Sequence, residues 1–403
     1  MKYKETPFGR IPEDWNVQPI NEITSLVTDY VANGSFASLA ENVKYKDEKD
    51  VAVLIRLVDY NRNFDGNFVY IDEHAYEFLS KSKLYGGEII ISNVGANVGT
   101  VFRCPYLPCK MSLAPNSIMV KFNESDEFYY YWLRSPFGQH MLKSIVTGSA
   151  QPKFNKTNFR DMVAPVPLRN VQDKIAEILR SLDDKIKVNN EINKNLEQQA
   201  QAIYAHMIID EADESWPSGL LSDIATITMG QSPKGDTYNE DGTGTVFFQG
   251  RAEFGFRFPT RRLYTTDPKR MAHTNDVLMS VRAPVGDFNV AYGDCCIGRG
   301  LGAIHSKDNH QSFVLYTMFA LRDQLDVFNG EGTVFGSINR DALNSMPISI
   351  PPRGVVDKFE AIVSPMDAAI RNNYEENCRL QTMRDSMLPR LMSGELDISD
   401  IDL

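Results

Sequence analysis

Residues 171–208 read VQDKIAEILRSLDDKIKVNNEINKNLEQQAQAIYAHMI, and residues 355–392 read VVDKFEAIVSPMDAAIRNNYEENCRLQTMRDSMLPRLM. The second stretch aligns with the first without a gap when 184 is added to each residue number. The same offset places Gly148 on Gly332 and Asn155 on Asn339, so the repeat begins upstream of the quoted stretches. Such self-similarity indicates a duplicated architecture. The chain therefore consists of two halves, each with a variable body followed by a similar helical stretch.

The apolar residues of both stretches recur in alternating steps of four and three, which is the heptad spacing of a coiled coil. The first seam consists of Ile175, Leu179, Leu182, Ile186, Asn189, Asn193, Leu196, Ala200, Ile203 and Met207, and the second of Phe359, Val363, Met366, Ile370, Asn373, Asn377, Leu380, Arg384, Met387 and Leu391. Each seam has two central asparagines, and a polar residue on such a seam fixes the register at a cost in stability. We therefore expect two long antiparallel helices whose register is set by Asn189, Asn193, Asn373 and Asn377. The alternative is an ordinary helix pair whose polar positions face solvent.

The composition is that of a globular chain with more than one domain. With 403 residues, of which 42% are hydrophobic and 24% charged, the chain is too long for one typical domain and too apolar to be disordered. Its longest apolar runs are far shorter than a membrane span, and we expect a cytoplasmic protein that does not bind a membrane. The five cysteines lack Cys-x-x-Cys spacing, which predicts buried free thiols and no metal site.

The net charge of −11 is unevenly distributed along the chain. Residues 1–170 are neutral and residues 215–352 carry −2, whereas the short segments 171–214 and 353–403 carry −5 and −4. The acidic excess thus lies mainly on the two predicted helices. The two long bodies could bind an anionic polymer without a large electrostatic penalty.

Both bodies have the pattern of α+β domains. Short runs of β-branched and apolar residues between glycines and prolines predict strands at 51–55, 87–92 and 117–121 in the first body, and at 245–248, 276–281 and 302–304 in the second. Short helices are predicted at 126–135 and 312–324. Each body therefore has enough regular structure to fold as a separate head, which we call the first head (1–170) and the second head (213–352).

The second head contains a basic and aromatic stretch at residues 251–270. Six basic residues against two acidic ones give this stretch a local charge of +4. Arginine can bond guanine edges in a bidentate manner, and other cations can hold phosphates. The alternative for each residue is a surface salt bridge or a solvated side chain.

No sequence motif of catalysis is present. The chain lacks a base-methylation tetrapeptide, a G-x-G-x-x-G, a phosphate-binding P-loop and an H-E-x-x-H motif. Asp183-Asp184-Lys185 has a nuclease-like appearance, but it lies on the first predicted helix, where a solvated face is expected. The sequence thus predicts a chain that is not an enzyme and has no catalytic residues.

Several segments resemble the specificity (S) subunit of type I restriction-modification enzymes. They are Ile11-Pro12-Glu13-Asp14-Trp15, Leu182-Asp183-Asp184-Lys185-Ile186, Asn193-Lys194-Asn195-Leu196-Glu197, Ser280-Val281-Arg282-Ala283-Pro284-Val285-Gly286, Cys296-Ile297-Gly298-Arg299-Gly300-Leu301 and Leu388-Pro389-Arg390-Leu391-Met392-Ser393-Gly394-Glu395-Leu396. The likeness covers nearly the whole chain. One departure is Arg384, which interrupts the second seam where the first has Ala200; it could stack, pair with an acid or contact a partner.

The resemblance implies two α/β target recognition domains in a pseudo-twofold repeat, separated by two long antiparallel coiled-coil helices. The first target recognition domain is then 1–170, the first spacer helix 171–212, the second target recognition domain 213–352, and the second spacer helix with its C-terminal tail 353–403. Each domain would recognise half of a bipartite site in double-stranded DNA. Two methyltransferase (M) subunits and restriction/translocase (R) subunits are the implied partners. They would carry S-adenosylmethionine, ATP and magnesium, and this chain would hold no cofactor.

The candidate DNA contacts are chosen by position and chemistry, because the family supplies no residue code. They are Asn33, Ser35, Arg56, Asn61, Arg62 and Lys153 in the first head, and Gln231, Ser232, Lys234, Arg251, Arg257, Arg262 and Arg282 in the second. On this assignment, Arg257→Ala is expected to weaken binding at one half-site only.

Two other functions are compatible with the sequence. The acidic charge would suit a protein scaffold or inhibitor that binds a DNA methyltransferase without recognising DNA, although the neutral, arginine-bearing heads disfavour it. A related system, in which one partner chain both methylates and cleaves, would use a similar specificity subunit.

Overall fold

The computed structural model describes residues 2–330, 336–396 and 398, so Gly332 of the repeat lies outside the described residues. The chain divides into two compact units. Unit 1 is Met1–Lys187 with Asn377–Leu403, and unit 2 is Val188–Glu376. Both units combine helices with strands, which confirms the α+β class. Each long helix contributes one part to each unit.

Unit 1 contains twelve short strands and seven short helices in its described head residues. The strands are β1 Tyr3–Thr6, β2 Gly9–Pro12, β3 Asn16–Pro19, β4 Thr24–Asp29, β5 Ala52–Ile55, β6 Val69–Ile71, β7 Lys83–Leu84, β8 Ile89–Ser92, β9 Val101–Arg103, β10 Lys110–Leu113, β11 Ser117–Phe122 and β12 Val163–Val166. The helices are α1 Ile20–Ile23, α2 Phe36–Asn42, α3 Leu57–Asn61, α4 Glu73–Phe78, α5 Asp126–Arg134, α6 Pro136–Ser144 and α7 Lys156–Asp161, with a 3-10 turn at Tyr30–Asn33. The first long helix, α8 Arg169–Tyr204, follows and continues as a π-helical segment, Ala205–Asp210.

Unit 2 has a similar set of elements. The strands are β13 Ser218–Leu220, β14 Ala225–Met229, β15 Tyr238–Asn239, β16 Thr245–Phe248, β17 Tyr264–Thr265, β18 Met271–Ala272, β19 Val277–Ser280, β20 Phe288–Val290, β21 Cys295–Ile297, β22 Leu301–Ser306 and β23 Pro347–Ser349. The helices are α9 Leu221–Ile224, α10 Gln311–Ala320, α11 Arg322–Asp326 and α12 Arg340–Asn344, with 3-10 turns at Gly235–Thr237, Arg251–Glu253 and Val327–Asn329. The second long helix is α13 Arg353–Met392.

The two heads have the same strand order. The main sheets of the first head are β6-β5-β10-β7 and β4-β11-β8-β9, and those of the second are β17-β16-β21-β18, extended by β15, and β14-β22-β19-β20. In each head one pair is parallel, β5 with β10 and β16 with β21. The duplication detected in the sequence is therefore also a duplication of sheet topology.

Aligned residues of the repeat have the same structural role in both heads. The Asn155 side chain accepts a hydrogen bond from the Asn158 backbone N at 2.8 Å, and the Asn339 side chain accepts one from the Ala342 N at 2.9 Å. Each asparagine thereby caps the N-terminus of the short helix that it precedes, α7 or α12. The alignment of Asn155 with Asn339 thus has a physical cause, because both helix starts need a side-chain acceptor.

The heptad residues of the long helices are buried or half-buried within their units. In unit 1, Ile175 and Leu179 of α8 lie in one core cluster with Leu391 of α13. In unit 2, Ala200 of α8 shares a cluster with Phe359 of α13. The second helix ends at Met392, just before Gly394, whose φ is +66°.

The cysteines are free, as expected, but one of them is not buried. Cys104, Cys295 and Cys296 are buried, Cys109 is half-buried and Cys378 on α13 is exposed, so the prediction of burial is wrong for Cys378. Burial raises the pKa of Cys295 to about 12. Over the residues that the structure describes, no helix combines the length and the apolarity that crossing a membrane requires.

Gly138 allows two consecutive helices of the first head to pack closely. A Cβ atom at this position would lie 2.2 Å from the Trp132 carbonyl oxygen, whereas a Cβ at Gly354 would meet nothing within 4 Å. We expect Gly138→Ala to lower the free energy of unfolding by about 1–3 kcal/mol, because the backbone must shift. The matched change Gly354→Ala, also in a helix, should leave stability unchanged or raise it by about 0.4–1 kcal/mol. Chemical denaturation of both variants measures the difference, and equal stabilities would refute this account.

Candidate nucleic-acid interface

The basic stretch of the second head is largely neutralised by acids from elsewhere in the chain. Arg251 pairs with Asp287, and Arg262 pairs with Glu240 at 2.9 Å and with Glu253 at 2.7 Å. The local charge of +4 counted along residues 251–270 omitted Glu240 and Asp287, because they lie outside that window. Arg251 and Arg262 remain about half exposed, so a ligand could reach them only in competition with these carboxylates.

Arg257, a predicted DNA contact, is buried in this structure and already paired with two carboxylates. Arg257 is 5% exposed. Its guanidinium donates to Asp367 at 3.0 Å, to Glu197 at 2.9 Å and to the Tyr316 hydroxyl at 3.2 Å. Burial raises the pKa of Glu197, and the nearby Arg257 charge opposes that rise. Arg257 therefore joins its head to α8 and α13 within unit 2.

A similar network occurs in unit 1 around Asp183. The Tyr131 hydroxyl donates to Asp183 at 2.8 Å, and Arg384 donates to the other carboxylate oxygen at 2.7 Å. This pairing answers the question that the sequence left open for Arg384. It also corrects the expectation of a solvated Asp183, whose side chain is only 27% exposed.

Asp367 is the residue aligned with Asp183, and its partners are of the same types. The Tyr316 hydroxyl donates to Asp367 at 2.9 Å, next to the bond from Arg257. Tyr131 lies on α5 and Tyr316 on the corresponding helix α10. Burial, more than the neighbouring carboxylate, raises the pKa of both tyrosines, which keeps each hydroxyl protonated and able to donate. In each unit a head tyrosine and an arginine bind one aspartate of a long helix, and the arginine comes from α13 in unit 1 and from the head in unit 2.

The seam asparagines occupy buried or half-buried positions of the heptad pattern. Within unit 2, Asn373 donates to Asn193 at 2.8 Å, and Asn189 donates to Glu376 at 2.7 Å. Asn189 and Asn193 are 1% and 3% exposed, so these polar groups need partners inside the protein. Asn377 is also buried and belongs to unit 1.

Three predicted DNA contacts of the second head, Gln231, Ser232 and Arg282, lie next to the turn Gly298-Arg299-Gly300. The Gln231 backbone N donates to the Ile297 carbonyl at 3.0 Å, and the Ser232 hydroxyl accepts from the Arg299 backbone N at 3.2 Å. The backbone of Val281, next to Arg282, donates to the Gly300 carbonyl at 3.0 Å. Lys234 is exposed further along the same loop as Gln231.

The glycines of this turn permit the close packing. A Cβ at Gly298 would lie 2.8 Å from the Gln249 Cα, and a Cβ at Gly300 would lie 2.8 Å from the Gln249 carbonyl oxygen. Arg299 is exposed between the two glycines and was not among the predicted contacts. The Gly-Arg-Gly triplet between two strands was the available signal for it.

The candidates of the first head divide into structural and exposed residues. The Asn33 amide is used internally, because it donates to Tyr30 and Ser82 and accepts from the Lys81 backbone N at 2.8 Å. The Ser35 hydroxyl caps α2 by accepting from the Ser38 backbone N at 3.2 Å. Arg56 forms an ion pair with buried Asp59 at 2.6 Å. These three side chains hold local structure.

Asn61, Arg62 and Lys153 are exposed. Lys153 lines a cleft of about 760 Å³ whose walls are mostly apolar and aromatic, including Tyr30, Phe36 and Tyr45. A neighbouring cleft of about 370 Å³ shares Tyr45, Val94 and Pro115 with the first and is lined by Arg56 as well. The first head therefore brings Lys153 and Arg56 to one continuous recessed surface, which Asn61 and Arg62 do not line.

No group of three or more metal-binding side chains occurs among the residues that the structure describes. Among these described residues, the shortest histidine–carboxylate contacts have a structural role. His310, at the start of α10, contacts Asp357 of α13 at 2.8 Å, and His305 contacts buried Asp276 at 2.6 Å. Neither pair adjoins a nucleophile motif.

Comparison with known proteins places this geometry in a family. The family model described as the type I restriction modification DNA specificity domain matches twice, at residues 12–198 and 213–378. Two similar curated proteins come from Methanocaldococcus jannaschii and are named as specificity subunits of the type I restriction enzymes MjaX and MjaIX. The MjaX protein is 27% identical over 98% of this chain and 97% of its own length, and the MjaIX protein is 23% identical over 99% and 98%.

A solved structure supports the same fold. The type I restriction-modification system S subunit from M. genitalium aligns with a TM-score of 0.56, at 14% sequence identity, over 96% of this chain and 98% of its own. At this identity the likeness concerns the fold alone.

Removing Arg257 should cost stability. Arg257→Ala leaves Asp367 and Glu197 without their cation in a buried environment, and we expect the free energy of unfolding to fall by about 3–5 kcal/mol. Arg262→Ala, at an exposed ion pair of the same head, should cost about 0–1 kcal/mol. Urea titrations of both variants test this contrast. A stable Arg257→Ala protein with weakened DNA binding would restore the original assignment.

Proposed function

The chain belongs to the type I restriction modification DNA specificity domain family, and we propose on that basis how its two halves divide the recognition of DNA. It is a DNA sequence-specificity subunit of a type I restriction-modification system, in line with the names of its full-length relatives. Subunits of this kind recognise DNA and are not the catalytic chains. Their target sequence is set by their recognition domains.

Each head recognises one half of a bipartite site in double-stranded DNA. The observation that carries this proposal is the duplication itself, because the family model matches once in each half and the sheet order is repeated. Two heads with the same frame but different exposed side chains are expected to prefer different bases.

The two long helices run antiparallel and act as the spacer between the half-sites. Three contacts inside unit 2 support this orientation: Asn189 with Glu376, Asn193 with Asn373, and the Tyr204 ring with the Phe359 ring at a centroid distance of 5.6 Å. Residue numbers rise along α8 as they fall along α13. A continuous helical pair is stiff, so it would hold the unrecognised gap at a fixed length.

The catalytic steps are assigned to partner subunits. Two methyltransferase subunits would bind S-adenosylmethionine, and restriction/translocase subunits would use ATP and magnesium. Val188 and Ile192 on α8 support a partner-binding role for the long helices, because they lie one turn apart and are 47% and 42% exposed. The alternative of a scaffold or inhibitor that does not recognise DNA is not favoured, since both heads lie within the family matches.

Methylation of a random DNA library tests the bipartite site. The full chain, assembled with its methyltransferase subunits, should modify sequences that share two short motifs separated by a gap of constant length. Omission of this chain is the control and should abolish the selection. A single uninterrupted motif, a variable gap or modification without sequence preference would contradict the proposal.

DNA binding by the same complex should also depend steeply on salt. Each phosphate contact contributes about −0.9 to the slope of log affinity against log salt concentration. A slope near zero would favour the scaffold alternative, because that function needs no phosphate contacts.

A further inference from the structure

The two heads build the same three-segment backbone frame around the turn that follows β10 or β21. In the second head, the Val281 N donates to the Gly300 carbonyl at 3.0 Å, and the Val281 carbonyl accepts from the Ile338 N at 3.1 Å. In the first head, the Asn93 N donates to the Asn116 carbonyl at 3.0 Å, and the Asn93 carbonyl accepts from the Phe154 N at 3.1 Å. The matching bonds identify structurally equivalent positions in the two heads.

The residues after Val281 and Asn93 also correspond. Arg282 forms an isolated antiparallel bridge with Ser337, and Val94 forms one with Lys153. The next positions repeat the pattern, since Ala283 N donates to the Gly336 carbonyl at 3.0 Å and Gly95 N donates to the Pro152 carbonyl at 2.9 Å. Val94 is therefore equivalent to Arg282, and Lys153 to Ser337. The bridge carries one cation in each head, but on opposite sides.

The turn beside the bridge also has an arginine in the second head and an uncharged residue in the first. Leu113 and Ile297 end the preceding strands, and Ser117 and Leu301 begin the following ones, so Pro115 is equivalent to Arg299. The second head thus places Arg282 and Arg299 on adjacent segments of the frame. The first head has uncharged Val94 and Pro115 at those two places, and both line its cleft.

Arg282 and Arg299 are available to a ligand, whereas three arginines of the basic stretch are already paired with carboxylates. Both are exposed, and within 2–330 and 336–396 their side chains form no hydrogen bond or ion pair. The guanidinium groups of Arg251, Arg257 and Arg262, by contrast, are each paired with at least one carboxylate. Arg261 and Arg270 of that stretch are also exposed and pair with no carboxylate within the same residues, but Arg282 and Arg299 are distinguished by lying on adjacent segments of the backbone frame.

Resting on the proposed function, we propose that Arg299 and Arg282 are specificity-determining residues and that they select guanine in the half-site recognised by the second head. A guanidinium can donate two parallel hydrogen bonds to the O6 and N7 of guanine, whereas an ammonium is a point donor. Backbone-held positions on a frame of fixed geometry supply the precision that such bidentate contacts need. The first head lacks both arginines and makes no such selection at these positions.

The test uses the full chain assembled with its methyltransferase subunits and a random DNA library, with methylated sites sequenced. Arg299→Ala and Arg282→Ala should each reduce the preference for one guanine in the second half-site about 5- to 150-fold. The first half-site and the gap should be unchanged, which also shows that the variant is folded. Arg299→Lys separates the two kinds of contact, because it keeps the charge for a phosphate but loses bidentate recognition of a base.

Lys307→Ala is the matched control. Lys307 follows the far end of β22 from Arg299, so this change removes one positive charge from the same head about 20 Å away. It should leave the guanine preference intact. Loss of affinity on all sequences with unchanged preference would make the arginines phosphate contacts and overturn the proposal, as would an unchanged preference at full affinity. If the complex with the wild-type chain shows no sequence preference in either half-site, the proposed function itself fails, which is a different result.

Discussion

The partly buried aspartates of the long helices, Asp183 and Asp367, control how each unit is assembled. A carboxylate withdrawn from water is costly unless it is paired and hydrogen-bonded. Each aspartate obtains a hydroxyl donor from a head tyrosine, Tyr131 or Tyr316. The requirement is repeated in both halves, but the cation is not, since Arg384 of α13 supplies it in unit 1 and Arg257 of the head in unit 2. Asp183 requires a cation as a partner. The second seam can therefore include Arg384, which supplies that cation.

The heads combine a fixed frame with variable surfaces for a related reason. The frame around Val281 and Asn93 is held by backbone hydrogen bonds, which do not depend on the side chains at the neighbouring positions. Arginine, valine, lysine and serine can therefore occupy the bridge without changing its geometry. Core strands such as β8 and β19 are buried at every position, which limits them to residues that pack. The frame can therefore carry different side chains, such as exposed Arg282 and half-buried Val94, at positions that a bound DNA could contact.

Sequence patterns predicted six of the strands and the two long helices, but not the other strands that the structure describes. The strand at 245–248 has the predicted bounds, the other five differ by two residues or fewer at either end, and the buried heptads follow the predicted spacing. Side-chain partners could not be predicted, because they come from distant parts of the chain: Arg257 is 110 residues from Asp367 and 60 from Glu197. For the same reason, the charge counted along residues 251–270 overstated the available cations. Arg299 was missed because a single residue in a turn leaves no periodic signal. The domain boundaries and the remaining DNA contacts stay predictions.

The distribution of charge limits how strongly this chain can bind DNA. Affinity for duplex DNA comes largely from neutralised phosphates and the counterions that they release. This chain has a net charge of −11, and much of its arginine is already engaged with carboxylates in both units. Other cations, such as Arg62, Lys153, Arg261 and Arg270, remain exposed without a carboxylate partner among the described residues, but the paired ones are less available to phosphates. A small number of well-placed polar contacts is nevertheless enough for discrimination, since one good bidentate pair distinguishes bases by about 1–3 kcal/mol. The acidic net charge of the chain disfavours binding to duplex DNA of any sequence, which leaves discrimination between sequences to such contacts.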